Sequence, residues 1–169
     1  MGVFNYFAYG SNMPSARLRA RCPSAIAMTR AMVLGHELRW HKASKDGSGK
    51  CDLVPTDVSS SIVHGVIFQI DASELPNLDR AEGRGYGYER VELEVTADGR
   101  AQKVVTYKAT KTDSSLKPYS WYHAFVLFGA REHGLPGEYI AGLEAVTTVV
   151  DPDRARHDEM MALIGEAIS

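Results

Sequence analysis

One segment leaves little choice of local structure. Val91, Leu93 and Val95 alternate with charged residues, Asp98-Gly99 follows, and a second β-rich run occupies residues 103–109. A period of two on either side of an Asp-Gly pair specifies an antiparallel hairpin, because that tight turn matches the twist of the strands it joins. A sheet therefore runs through the middle of the chain, and the rest must extend or cover it.

Further strands are expected on both sides. Residues 3–9 are apolar and aromatic apart from Asn5, and Gly10 stops them, as suits a short buried strand. Residues 25–42 read as strand, turn at Gly35, strand, and residues 42–50 as a polar surface loop. SIVHGVIFQI at 61–70 has the pattern of a central strand, after which Ser73 offers an N-cap for a short helix that carries Leu75 and Leu78 and ends at Glu82. Pro14 opens a helix that Pro23 closes. Helical patterns also cover residues 119–134, a segment begun by Pro136, and an amphipathic stretch from 151 to 168. Strands in the middle and helices at the end argue for an α+β fold, a mixed, curled or barrel-like sheet with helices packed outside. With 169 residues, 44% of them hydrophobic, the chain has enough apolar material for one domain spanning 1–169.

Charge and composition exclude several classes of function. A net charge of −2 and a pI near 6.3 do not give the positive field that nucleic acid or an anionic membrane would attract, so neither partner is expected. The distribution is uneven: residues 1–50 hold eight Lys or Arg against Glu37 and Asp46, whereas residues 71–98 hold eight acids against three arginines. The basic third is either a solvated face or an aid to attracting a small carboxylate. Cys22 and Cys51 form no CxxC pair, and the start MGVFNYFAYG lacks both a charged n-region and a long apolar run, so a cytoplasmic protein with free thiols is expected. Tyr6 stands where a myristoylation signal needs Ser or Thr. A homodimer is compatible with the chain.

Several motifs fail on inspection. GSGKC at 47–51 lacks the glycine that a phosphate loop needs at 44 and the hydroxyl it needs at 51. Gly83, Gly85 and Gly87 precede a strand rather than a helix, so they do not cradle a dinucleotide, and a mobile loop is expected there. The six histidines show no metal-ligand spacing, and no metal or other cofactor is expected. Ser11 lies in YGSNM, not in a nucleophile elbow.

What remains is the strand-to-loop segment Tyr9-Gly10-Ser11-Asn12-Met13 and the acid Glu82 at a helix end, where the helix dipole disfavours a negative charge. FAYGSNM at 7–13, RCPSA at 21–25, Val54-Pro55, HGVIFQI at 64–70, LDRAEG at 78–83 and GAREHGLPGEY at 129–139 resemble, in that order, the γ-glutamylcyclotransferase family with its AIG2-like fold. The likeness runs from about residue 4 to about 146, and the GLPGEY segment is similar to the branch acting on γ-glutamyl amino acids. The resemblance implies that the loop Tyr9 to Met13 binds the glutamyl end of the substrate and that Glu82 is the catalytic acid/base. It also implies that Tyr88 and Tyr122 line the site. The tail from Asp151 carries no matching motif.

The implied chemistry suits these residues. A γ-glutamyl amide carries its own nucleophile, since the α-amine attacks the γ-carbonyl, closes a five-membered lactam and expels the amine. Backbone N–H groups of Gly10, Ser11, Asn12 and Met13 are candidates for a nest around the α-carboxylate, with one donor left for the oxyanion. One carboxyl group can take the proton of the α-amine and give one to the leaving nitrogen, if apolar walls such as Tyr86, Tyr88 and Tyr122 lift its pKa. The leaving group stays open among an amino acid, an amine such as an isopeptide-linked lysine, glutathione and a γ-glutamylated natural product. A non-catalytic binding module on the same fold is the reading from a different class.

Overall fold

A computed structural model describes residues 2–168, with side chains described as far as residue 166. The predicted hairpin is its longest ladder: β6 (Tyr88–Ala97) pairs with β7 (Arg100–Ala109) without interruption, from Tyr88↔Ala109 to Ala97↔Arg100. Asp98 and Gly99 both take positive φ, 50° and 73°, as a two-residue turn between twisted strands requires. β1 (Val3–Ala8) lies antiparallel to β5 (Ile62–Asp71), from Val3↔Asp71 to Ala8↔Val66, and touches β7 in parallel at Tyr6↔Val105. β2 (Ile26–Leu34) pairs along the other edge of β5 and joins β6 at Met32↔Thr96. The result is a closed mixed barrel in the order β1-β5-β2-β6-β7, with five helices around it.

Phe7, Val63, Val66, Ile67, Phe68, Ile70 and Val95, all at most 2% exposed, belong to one core that covers both faces of the barrel strands, because consecutive residues such as Ile67 and Phe68 point to opposite sides. Gly65 permits the close crossing of β1 over β5, since a Cβ there would lie 2.4 Å from the Ala8 carbonyl oxygen and 2.7 Å from the Phe7 ring.

Outside the barrel sheet, β3 (His36–Ala43) and β4 (Gly49–Pro55) form a separate two-stranded hairpin. The expected surface loop at 42–50 is therefore a correction. Only residues 44–48 form the turn, while Lys42, Ser48 and Gly49 are buried. Asp46 accepts from the Ser48 N–H at 2.9 Å and its hydroxyl at 2.6 Å.

α1 (Ser15–Arg21) follows Pro14, and α2 (Leu75–Glu82) follows a 3₁₀ turn at Ala72–Glu74. Asp71, not Ser73, caps that turn, its carboxylate accepting from the Ser73 N–H at 2.9 Å. α3 (Ser120–Glu132) buries Trp121, Tyr122, Phe125, Val126, Gly129 and Ala130 at helical spacing. α4 (Gly137–Glu144) begins after Pro136, as expected. α5 (Arg154–Ile168) is less amphipathic than its sequence suggests: Ile164 is buried, but Met161 and Leu163 stay 40% and 43% exposed. Among the described residues no helix is long and apolar enough to cross a membrane, and Cys22 and Cys51 are both free and buried.

Candidate active site

The end of β1 and the end of α2 meet at one cavity. Its lining includes Tyr6, Tyr9, Gly10, Ser11, Asn12 and Glu82, closed on the far side by Cys51, Tyr88, Tyr107 and Tyr122. Six of the eight residues singled out from the sequence for the site, Tyr9, Gly10, Ser11, Asn12, Tyr88 and Tyr122, thus stand around the seventh, Glu82. Met13 is the exception. Its side chain is fully buried, with its Cβ against Gly129 of α3, and its N–H bonds back to the Gly10 carbonyl at 3.2 Å, so neither part is free for a ligand. That bond closes the turn and leaves the N–H groups of Gly10, Ser11 and Asn12 without a protein acceptor among the described residues.

Glu82 is the last residue of α2, and Gly83 follows at φ 67° and ψ 44° in the left-handed conformation that ends a helix. Its Oε1 accepts from the Asn12 side-chain amide and, at 3.4 Å, from the Tyr6 hydroxyl. Asn12 in turn accepts at Oδ1 from Arg21 at 2.5 Å, so a guanidinium reaches the carboxylate through one amide. Glu82 keeps some solvent contact, yet burial of its carboxyl group raises its pKa above the ordinary value of 4.5, against the opposing pull of Arg21, the Tyr6 hydroxyl, Arg17 and Lys50. This is the direction a proton carrier needs near neutral pH.

The tyrosines serve as walls. Tyr9 donates to the Tyr107 carbonyl at 2.5 Å and Tyr88 to the Cys51 carbonyl at 2.6 Å, while the Tyr122 hydroxyl accepts from the Cys51 N–H at 3.0 Å. Burial holds the hydroxyl pKa values of Tyr6, Tyr9, Tyr88 and Tyr122 well above 10. The Cys51 thiol is likewise pushed up by burial, which removes thiolate character from it. Tyr86, expected among the walls, is 79% exposed and points away. The glycine-rich loop that holds it makes its own backbone bonds: Gly85 N–H bonds the Tyr88 carbonyl, Tyr86 N–H the Gly83 carbonyl and Thr110 N–H the Gly87 carbonyl, each at 2.9 Å.

Sequence reasoning missed Tyr6, Cys51 and Tyr107, and with them Arg17, Arg21, Lys42 and Lys50, which line an adjoining cavity. Arg17 and Arg21 sit four residues apart, so their placement on one helix face was available from spacing alone. Among the described residues no three of His, Cys, Asp and Glu converge as metal ligands.

Both the sequence and the fold are similar to those of known proteins. The AIG2-like family model matches residues 62–143. The γ-glutamylcyclotransferase of Mus musculus is 32% identical over 157 residues, covering 85% of the chain and 79% of that protein. The Homo sapiens γ-glutamylcyclotransferase is 32% identical over 149 residues, with coverage of 85% and 78%. A solved γ-glutamyl cyclotransferase structure superimposes with a TM-score of 0.85 at 27% identity, covering 98% of this chain and 99% of that one.

Proposed function

The chain belongs to the γ-glutamylcyclotransferase family, and from that premise we propose that it converts a γ-glutamyl amino acid into 5-oxoproline and the free amino acid, with Glu82 as the acid/base. One observation carries the reading: a buried carboxylate with a raised pKa and three residues whose backbone N–H groups have no protein acceptor among the described residues line the same small cavity.

The N–H groups of Gly10, Ser11 and Asn12 grip the α-carboxylate and leave a donor for the oxyanion that forms on the γ-carbonyl. A side chain at Gly10 would intrude on this space, since its Cβ would lie 3.2 Å from the Cys51 Cβ and 3.4 Å from the Tyr122 hydroxyl. The tyrosine walls hold the glutamyl chain folded, so that the amine faces the carbonyl. Intramolecular attack then draws on an effective molarity of ~10⁵ M or more. The α-ammonium first loses one proton to become a nucleophile. As the new C–N bond forms, Glu82 takes the next proton from the attacking nitrogen and gives it to the leaving nitrogen, and the old amide bond breaks. Protonation of the released amine restores the balance. Glu82 is the only group of the protein that carries a proton on this route, the first proton lost by the α-ammonium going to water and the last proton gained by the released amine coming from water, and no covalent enzyme intermediate arises.

The test is 5-oxoproline release from a γ-glutamyl dipeptide beside its α-linked isomer. Only the γ-amide can close the five-membered ring onto its own α-amine, so the α-isomer should be inert. Comparable turnover of both would sink the mechanism.

A further inference from the structure

Beside the aromatic cavity, and sharing Ser11, Glu82, Tyr88 and Tyr122 with it, lies a second cavity lined by Arg17, Arg21, Lys42 and Lys50. The lysines come from the hairpin β3–β4 and the arginines from α1, so two separate elements aim positive charge at one space. Only Lys50 has a carboxylate partner, Asp46 at 3.5 Å. Among the described residues Arg17, Arg21 and Lys42 make no ion pair at all.

Neutral groups hold these cations in place. The Arg17 guanidinium lies 4.1 Å from the centre of the Phe125 ring, and its buried Nε has no hydrogen-bond partner. The Lys42 ammonium lies 4.8 Å from the centre of the Tyr88 ring on a side chain only 9% exposed. Its path exists because residue 87 is glycine: a Cβ there would lie 2.7 Å from the Lys42 Cε and 3.0 Å from its Nζ. Burial and mutual repulsion lower the pKa of both lysines. A cluster of like charges drawn out of water is unfavourable unless an anion completes it.

Within this cavity's lining four cations stand against Glu82, with Asp46 on Lys50, so positive charge exceeds negative by two. Resting on the reading of the first cavity as the glutamyl pocket, we propose that the second is the leaving-group subsite and that it selects a leaving amino acid with two carboxylates, as in γ-glutamyl-glutamate, with Lys42 as the specificity-determining residue. The two cavities meet at Glu82, where the scissile nitrogen must lie, so a leaving group enters the cationic space as soon as the glutamyl end is seated. The two leaving-group charges match the excess of two positive charges around this cavity.

The test compares kcat/KM for γ-glutamyl-glutamate and γ-glutamyl-glutamine, which differ by one charge at nearly constant shape, with γ-glutamyl-putrescine as a cationic control. A charged hydrogen bond of ordinary strength predicts a preference of about ten- to a hundredfold for the glutamate peptide, carried mainly by KM. The preference should shrink in salt of about 0.5 M. Lys42→Gln should bring the ratio towards one and Lys42→Arg should retain it, with thermal melting confirming that both variants fold. Equal use of the two peptides by the unaltered enzyme would overturn this inference while leaving the cyclisation reading intact. A ratio unmoved by Lys42→Gln would overturn the role of that lysine. Absence of 5-oxoproline from every peptide would remove the cyclisation reading and this inference with it.

Discussion

Replacing Glu82 by Gln removes a proton carrier while keeping its shape. The Asn12 amide and the Tyr6 hydroxyl both donate to Oε1, an acceptor that glutamine retains, so the hydrogen-bonded frame should survive. Loss of a positioned acid/base costs ~10²–10⁴ in rate, about 3–5 kcal/mol of barrier, and kcat should fall by that factor. Substrate binding should persist, because the α-carboxylate is assigned to the loop. Stability should move the other way. Burial raises the folded-state pKa of Glu82 above the ordinary 4.5, so the native state binds its proton more tightly than the unfolded chain does. Stability therefore declines as pH rises from the unfolded value to the folded one, and the penalty is complete above both. Glu82→Gln should raise the denaturation midpoint near pH 8 and make little difference near pH 4, where both states are largely protonated. Single-turnover release of 5-oxoproline from a γ-glutamyl dipeptide, alongside urea melts at the two pH values, reads both effects. A variant within a few-fold of the parent in kcat would show that Glu82 is not the proton carrier.

Gly129→Ala should destabilise the fold by roughly 1–3 kcal/mol and raise KM, because its Cβ would lie 2.4 Å from the Met13 Cβ and 2.8 Å from the Pro14 backbone nitrogen, pushing the substrate loop off α3. Gly142→Ala, in helix α4 with nothing within 4 Å, should instead stabilise it by about 0.5–1 kcal/mol, and the same denaturant melts compare the two. Asp151→Ala should lower the melting temperature by about 5–10 °C, since Asp151 accepts from Trp121 Nε1 at 2.9 Å and from Arg156 at 2.6 and 2.7 Å. These donors hold the Asp151 pKa below its ordinary value of 3.8, so its contribution is present above that value and lost as pH falls further; an equal effect in strong acid would contradict the assignment.

The parts of this molecule legible in its sequence are those specified locally. Asp98-Gly99 sets the turn it occupies, Gly83 ends a helix where it stands, and Gly10 follows within two residues of the end of β1 at Ala8. β4 was hidden because its alternation is broken by Asp52, which is buried not as an apolar residue but as an acceptor for the Ala109 N–H at 2.8 Å and for His41 at 2.7 Å. Both partners are distant in sequence or lie on a strand not yet paired. Tyr86 and Tyr88 look equivalent in the chain, yet only Tyr88 enters the ladder with Ala109 and turns inward. Met13 belongs to the motif by sequence but to the packing beneath α3 by position, which requires knowing that a glycine of α3 faces it.

The length of the segment after β5 explains why an acid at the end of a helix meets a loop at the end of a strand. β5 finishes opposite the start of β1, at Val3↔Asp71, so the chain must travel back along the barrel to reach the loop that follows Ala8. Six residues of β1 span ~20 Å. The 3₁₀ turn of three residues and the eight of α2 cover ~18 Å together, which returns the chain to the same end at Glu82. Catalytic placement thus follows from the barrel ladder and a helix length, both internal to β1, β5 and α2. The cations proposed to face the leaving group have a different origin, on α1 and on a hairpin outside the barrel sheet. Substitutions on that hairpin can change which amine is released without disturbing the ladder that positions Glu82. On the proposed reading the hairpin serves both cavities, Lys42 facing the leaving group while Cys51 walls the glutamyl pocket, so selectivity is open to change at Lys42 rather than across the whole hairpin.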